Sequence, residues 1–427
     1  MPIVFLFASV PILIGLLHAR LQGADQRRRQ ACERDLERLQ ACLAGGDWTA
    51  FEAGLGSAVR TAASLPADDR PRFLAGLELL RGEACITRGR ADEAKDAFLS
   101  AIDEAGRLSG QEAAQIALRA KASLAIALDP HDPDPDLLRL GEEALASEAE
   151  VVWPTSRARL AQGALAIGRF LRSRELHARA DAALAACVRI GGAFPPSLVR
   201  SMAGQAALEL ASHRLASGRE EEARANLDHA ATLLEPCADP EARVAYARVQ
   251  LARAHDEAND PLVPHAARAA RYRSAVAAGE ASGRDEGFRL VARARLDLGF
   301  LAAAEGRHAD AAAEFEAARA ALGPLTDPVA ALLATQADMA CGEAWLAAGE
   351  RGRGREALRA AVLGGLSAAA PAARQLARQR AVGLHLLCLQ DRDAGAAREV
   401  ETALAGAAGR GGSEARWLAG WAAFARA

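Results

Sequence analysis

The stretch GEACITRGRADEAKDAFLSA, residues 82–101, contains the features that decide the fold. Apolar and small residues recur every three or four positions on both sides of Gly89, which is the spacing of amphipathic helices. Glycine tolerates the left-handed conformation in which many helices end, so Gly89 marks a break between two helices. Ala94, Phe98 and Ala101 then share one side of the second helix, where they face the first. The stretch predicts an antiparallel helix pair.

The same arrangement recurs along the chain. Nine breaks in helical periodicity follow one another at intervals that average about 43 residues, so each unit holds two helices. The predicted breaks are Gly46, Gly89, Pro130, Arg172, Gly218, Asn259, Gly306, Gly349 and Asp391. Small or large apolar residues occupy the offsets of Ala94, Phe98 and Ala101 after five further breaks, as Phe51, Leu55 and Ala58; Ala223, Leu227 and Ala230; Ala311, Phe315 and Ala318; Leu358 and Ala361; and Ala396, Val400 and Ala403.

A second glycine precedes three of these breaks by seven residues, as Gly82, Gly299 and Gly342. A glycine inside a helix costs up to about 1 kcal/mol relative to alanine, so its recurrence indicates a packing reason. We expect it to remove the side chain at the point where the first helix of a pair crosses the second.

A small residue in the first helix, glycine at the turn, and then alanine, a large apolar residue and alanine together resemble the tetratricopeptide repeat. Prolines near unit ends, Pro236 and Pro324, add to the resemblance, although the unit here is longer by roughly nine residues. The pattern is sharpest in the units that turn at Gly89, Gly218, Gly306 and Gly349. The resemblance implies an all-α fold, a right-handed superhelical solenoid of antiparallel helix pairs.

We expect the array to span residues 22–427, with its first helix carrying Leu36, Leu39 and Leu43. A capping helix at about 413–427 ends it, because Trp417, Trp421 and Phe424 fall on one helical face that can pack on the last pair. The alternative for this face is an aromatic anchor for a partner, since interfaces are enriched in aromatic residues.

Composition favours helices and argues against nucleic-acid binding. Apolar residues make up 51% of the chain, but aromatic residues only 4%, and alanine is the best helix former. Lysine occurs only at Lys95 and Lys121, so nearly all of the 52 basic residues are arginine, a usage typical of GC-rich bacterial genomes. Both signs of charge are interspersed and the net charge is −3, so no nucleic-acid partner is expected.

The N-terminal segment is apolar. Residues 2–17 carry no charge, and residues 1–21 would span about 31 Å as a helix, close to the hydrocarbon thickness of a bilayer. Arginines follow the segment at Arg20 and Arg27–Arg29, so the positive-inside rule predicts a single-pass anchor with the array in the cytoplasm. One alternative is a cleaved signal peptide. The other is a buried capping helix, which would leave the array soluble in the cytoplasm.

No residue pattern predicts catalysis. The seven cysteines form no CxxC motif, the nine histidines form no metal-binding pair, and no nucleophile elbow or phosphate loop occurs. We therefore expect no enzyme activity, no cofactor, no metal and no catalytic residue. The sequence predicts a protein-interaction scaffold at a bacterial inner membrane, with protein partners on its concave face. The alternative is a regulatory or sensor module that binds a small ligand or effector in the groove.

Overall fold

The computed structural model describes residues 26–127, 134–195, 197–390 and 393–408. Within these ranges the chain forms eighteen α-helices and one 3₁₀ turn, Glu148–Glu150, and contains no strand. The helices cluster into two compact units, divided between Cys237 and Ala238. Within each unit consecutive helices pack against one another. The predicted all-α fold of tetratricopeptide-like helix pairs is confirmed.

The first unit contains five helix pairs, and in each the first helix is the longer. Buried apolar clusters extend from a pair into the first helix of the next pair, as expected for stacked repeats. The pairs are α1 (Gln26–Gly45) with α2 (Trp48–Ala63), α3 (Arg70–Thr87) with α4 (Ala91–Gly106), α5 (Gln111–Ile126) with α6 (Pro135–Ala146), α7 (Pro154–Ser173) with α8 (His177–Gly192), and α9 (Leu198–Ala216) with α10 (Glu220–Leu234).

The second unit contains four pairs of the same design in the described residues. Its buried clusters again join a pair to the following first helix. The pairs are α11 (Pro240–Ala258) with α12 (His265–Ser282), α13 (Asp285–Ala304) with α14 (His308–Ala321), α15 (Pro328–Ala347) with α16 (Arg351–Ser367), and α17 (Pro371–Gln390) with α18 (Ala394–Ala408).

A left-handed residue closes most of the first helices. At Gly89, φ is +71°, and the backbone N–H groups of Gly89 and Arg90 donate to the carbonyls of Ile86 and Cys85, at 3.0 and 2.9 Å. This is the Schellman arrangement, which satisfies carbonyls that the helix end would otherwise leave unpaired. The predicted turns at Gly46, Gly218, Gly306 and Gly349 repeat it, with φ between 71° and 86°.

Two predicted breaks differ in detail, and two lie outside the described residues. The break expected at Arg172 falls three residues later, because Glu175 is the left-handed residue, with φ +59°. Helix α11 ends at the predicted point, before Asn259, but its C-cap is right-handed and a longer connection leads to α12. Pro130 and Asp391 belong to the residues that the structure does not describe.

The recurrent glycines lie where helices cross, as predicted. A Cβ on Gly82 would stand 2.5 Å from Cε1 of Phe98, and one on Gly299 would stand 2.4 Å from Cε1 of Phe315. Gly342 meets the Leu358 side chain in the same way, at 2.6 Å. Each pair therefore inserts its large middle residue into a space that only glycine leaves open.

Ion pairs join successive repeats within each unit. Arg169 Nε donates to Glu209 at 2.7 Å, which links the first helix α7 to the first helix α9. Arg289 of α13 binds Asp327 at 2.8 Å, and the same aspartate caps the N-terminus of α15 by accepting from two backbone N–H groups. Such pairs connect residues about one repeat apart, which fixes how neighbouring repeats align.

The predicted anchor over residues 1–21 and the predicted capping helix at 413–427 both lie outside the described residues. Among the helices that are described, none has both the length and the apolar content needed to cross a membrane.

Candidate binding pocket

An open pocket of about 280 Å³ lies between the first two helix pairs of the first unit. Helix α2 forms one wall, and the end of α3 with the start of α4 forms the other. The pocket therefore lies beside the Gly89 turn, where the tight Schellman closure brings two arginines to the rim. Its position follows from the stacking of one repeat on the next.

The inner surface of the pocket is apolar. Trp48, Phe51 and Leu55 recur at helical spacing on α2, so they share the face that α2 turns toward α3. Helix α2 begins where it does because the Asp47 side chain accepts from the backbone N–H of Ala50 at 3.0 Å. Phe51 is buried, while Trp48 and Leu55 are partly exposed. A ligand entering here would cover aromatic and aliphatic surface.

The rim of the pocket carries arginines that are paired with glutamates. Glu52 of α2 accepts from both Arg88 and Arg90, and its Oε1 lies 3.0 Å from Arg90 Nη1. Arg90 also holds Glu93 with two nitrogens. The hydrogen bonds from Arg90 lower the pKa of Glu93, so that carboxylate is ionised at neutral pH. The Arg88 guanidinium lies over the Trp48 ring, 5.9 Å from its centroid, at a cation–π distance.

Arg81 is the pocket arginine with the weakest pairing. Its Nη1 lies 3.3 Å from Glu78 Oε2, one turn earlier on the same helix. Burial raises the pKa of Glu78, because desolvation disfavours its charged form more than Arg81 favours it. Burial likewise raises the pKa of the Cys85 thiol in the pocket wall. Because a protonated thiol is a poor nucleophile, the pocket does not present an activated cysteine.

A second group of charges is buried in the same unit, away from the pocket lining. Glu83 of α3 accepts from Arg119 Nε and Nη2 of α5, at 2.9 and 3.0 Å, and from Arg159 Nε of α7 at 3.3 Å. Arg159 also donates to Gln162 at 3.0 Å. Burial alone would raise the pKa of Glu83, but the two guanidiniums outweigh it and lower that pKa. This cluster therefore joins three successive repeats through a buried carboxylate.

Histidines and acidic residues do meet elsewhere in the first unit. His213 Nδ1 lies 2.6 Å from Asp181 Oδ1, and the His177 ring stacks on the His213 ring at 4.7 Å between centroids. Arg219 also binds Asp181, at 3.1 Å. Over the described part of the chain, no three histidine, cysteine or acidic side chains are placed to hold a metal ion.

The sequence predicted no site residues, so the pocket is a feature that sequence reasoning missed. Its signal was a tryptophan just after one predicted turn and arginines on both sides of the next. The arginine-rich run Arg351–Arg355 begins helix α16. Arg355 Nη2, at the end of this run, lies 3.5 Å from Asp393 Oδ2, so Arg355 forms an ion pair between repeats.

Comparison with known proteins gives structural likeness only. The sequence matches no protein-family profile and no curated protein. Among solved structures, the apo form of RapI has a TM-score of 0.47 at 10% identity, over 83% of this chain and 97% of that one. An ATPase of the STAND class with a tetratricopeptide repeat sensor, from Pyrococcus horikoshii, has a TM-score of 0.44 at 11% sequence identity, over 78% of this chain and 50% of that one. The apo quorum sensor NprR from B. thuringiensis has a TM-score of 0.42 at 11% sequence identity, over 82% of this chain and 91% of that one. Likenesses of this degree do not extend to function.

Proposed function

We propose that this chain is a non-enzymatic protein-interaction scaffold, and that one of its contacts is the pocket between the first two helix pairs. The observation that supports it is an apolar surface with Trp48 at its edge and three arginines and two glutamates around it, on a stack of helices. Binding hot spots are enriched in tryptophan and arginine, and they lie in pockets with an apolar centre and a polar rim.

The pocket is large enough for an anchoring side chain of a partner. Pockets for drug-sized ligands and cofactors hold roughly 300–1,000 Å³. At about 280 Å³ and open to solvent, this pocket suits one or two anchoring side chains of a peptide segment. Contact with partners along the concave face of a repeat array remains the broader proposal.

Site-specific photo-crosslinking in cells tests the proposal. A photoreactive residue at Leu55, which lines the pocket, is expected to give discrete protein adducts. The matched control is the same residue at Leu99, an exposed apolar position of α4 outside the pocket. Trp48→Ala should remove the Leu55 adducts, and a cooperative melting transition checks that the variant is still folded, because Trp48 also packs against the buried cluster of the first pair. Equal adducts from both positions, or none from Leu55, would contradict the proposal.

The apolar N-terminus extends the proposal to location. We propose that residues 1–21 tether the scaffold to the inner face of a bacterial cytoplasmic membrane, which would raise its effective concentration near membrane partners. Fractionation of cells that express a C-terminally tagged chain should find the tag in membranes and accessible only from the cytoplasmic side. A tag found in the soluble fraction would contradict the membrane tether, while the scaffold proposal would stand.

A further inference from the structure

The carboxylates that line the pocket are already used by arginines. Glu52 accepts from both Arg88 and Arg90, and Glu93 is held by two nitrogens of Arg90. A lysine or arginine of a partner would have to displace one of these internal pairs. It would also approach three guanidiniums, those of the two rim arginines and of Arg81. Binding of a basic side chain in the pocket is therefore disfavoured.

The guanidinium of Arg81, by contrast, retains capacity for another acceptor. Its ion pair is a single long contact of 3.3 Å to Glu78, and 41% of the Arg81 side chain is exposed. A guanidinium has five N–H donors in a planar fork that matches a carboxylate. A carboxylate of a partner could therefore reach Arg81 and accept hydrogen bonds from its remaining N–H groups.

We infer that the pocket selects an acidic segment of a partner protein, in which an apolar side chain covers Trp48 and Leu55 and a neighbouring carboxylate binds Arg81. The inference rests on the proposed function and adds the chemistry of the partner. Charge complementarity at the rim then sets specificity, while the apolar contact provides most of the affinity. A charge-assisted bond of this kind forms at a rim, where it depends on ionic strength.

Fluorescence polarisation with the intact chain tests the inference. The probe is a labelled, N-acetylated and C-amidated heptapeptide with a central phenylalanine between two glutamates. Two matched peptides carry glutamine or lysine in place of both glutamates. The acidic peptide is expected to bind about tenfold more tightly than the glutamine peptide at low salt, and the lysine peptide most weakly. Arg81→Gln should remove this tenfold preference and leave the affinity for the glutamine peptide unchanged.

The control variant is Arg107→Gln, which removes an arginine directly after α4 that pairs with Asp103 and Glu104 of that helix and does not line the pocket. It should retain the preference for the acidic peptide. Equal binding of all three peptides would overturn the acidic selectivity while the scaffold proposal stands. If no peptide binds at all, the pocket contact itself is wrong. Displacement of the acidic peptide by inorganic phosphate at equal concentration would identify a simple anion site and overturn the inference.

Discussion

Gly82 of α3 and Phe98 of α4 are in direct contact, and the Phe98 ring occupies the volume that a side chain on residue 82 would need. Both residues are buried, with Phe98 fully enclosed. Phe98 belongs to a buried apolar cluster that also contains residues of α5, the first helix of the next pair, and alanines of its own helix. The ring therefore has little free space to move into when the glycine is changed.

Gly82→Ala is expected to lower the free energy of unfolding by about 1–3 kcal/mol, because the added methyl group overpacks a closed contact. The matched control is Gly56→Ala, an exposed position inside α2 whose nearest neighbour is the flexible end of Arg60 at 3.7 Å. There the change should raise stability by about 0.5–1 kcal/mol, since alanine loses less backbone entropy. Urea unfolding of both variants measures the difference. Equal effects of the same sign would show that the Gly82 contact is not tight.

The buried carboxylate of Glu83 neutralises guanidiniums from two other helices. Glu83→Gln should therefore cost about 3–5 kcal/mol, because Arg119 and Arg159 would remain buried without a counter-charge. Glu142→Gln, which breaks the exposed pair with Arg179, should cost less than about 1 kcal/mol. Calorimetric melting of the two variants decides between them. A small loss for the Glu83 variant would indicate that the cluster rearranges around water.

The same residue predicts how stability depends on pH. The pKa of Glu83 is lower in the folded chain than in the unfolded one, so its contribution is complete above the unfolded value of about 4.3. As pH falls below that value the contribution is lost progressively. Denaturant unfolding between pH 7 and pH 3 should show the wild-type chain converging on the Glu83→Gln variant. A gap that stays constant with pH would mean that the carboxylate does not titrate in this window.

Glu175 adopts a backbone conformation that the other tight turns give to glycine. A left-handed residue with a side chain costs about 1–2 kcal/mol, and the Glu175 side chain is exposed. Glu175→Gly should accordingly raise the melting temperature of the chain. Gly218→Ala, the reverse change in the next repeat, should lower it by a similar amount. Differential scanning fluorimetry of the two variants is sufficient, and a destabilised Glu175→Gly would reveal a role for that side chain.

The sequence was informative where a contact lies within one helix pair. Gly82 and Phe98 are sixteen residues apart, so the helical period alone places them on facing sides of one pair. The turn at Glu175 was misplaced because a charged residue occupies a position that the pattern reserves for glycine. Propensity cannot reveal a left-handed glutamate, since the conformation is imposed by the helices that flank it.

Contacts between pairs were beyond the reach of the pattern. Glu52 and Arg88 are 36 residues apart, and Glu83 and Arg159 are 76 apart, so their meeting depends on how the repeats are stacked. On a helical projection Glu83 reads as an ordinary polar residue, and nothing marks it as buried. The pocket was missed for the same reason, because each wall belongs to a different repeat.

The ion pairs between successive repeats also determine how the chain would respond to tension. Arg169 and Glu209 are separated by 40 residues, and Arg289 and Asp327 by 38, so each pair spans a single interface. A pulling force would load these interfaces one after another rather than the whole stack together. Each rupture would release about 40 residues, roughly 130–140 Å of extended chain. Within a unit, the helix pair is thus the smallest step in which the protein lengthens under load.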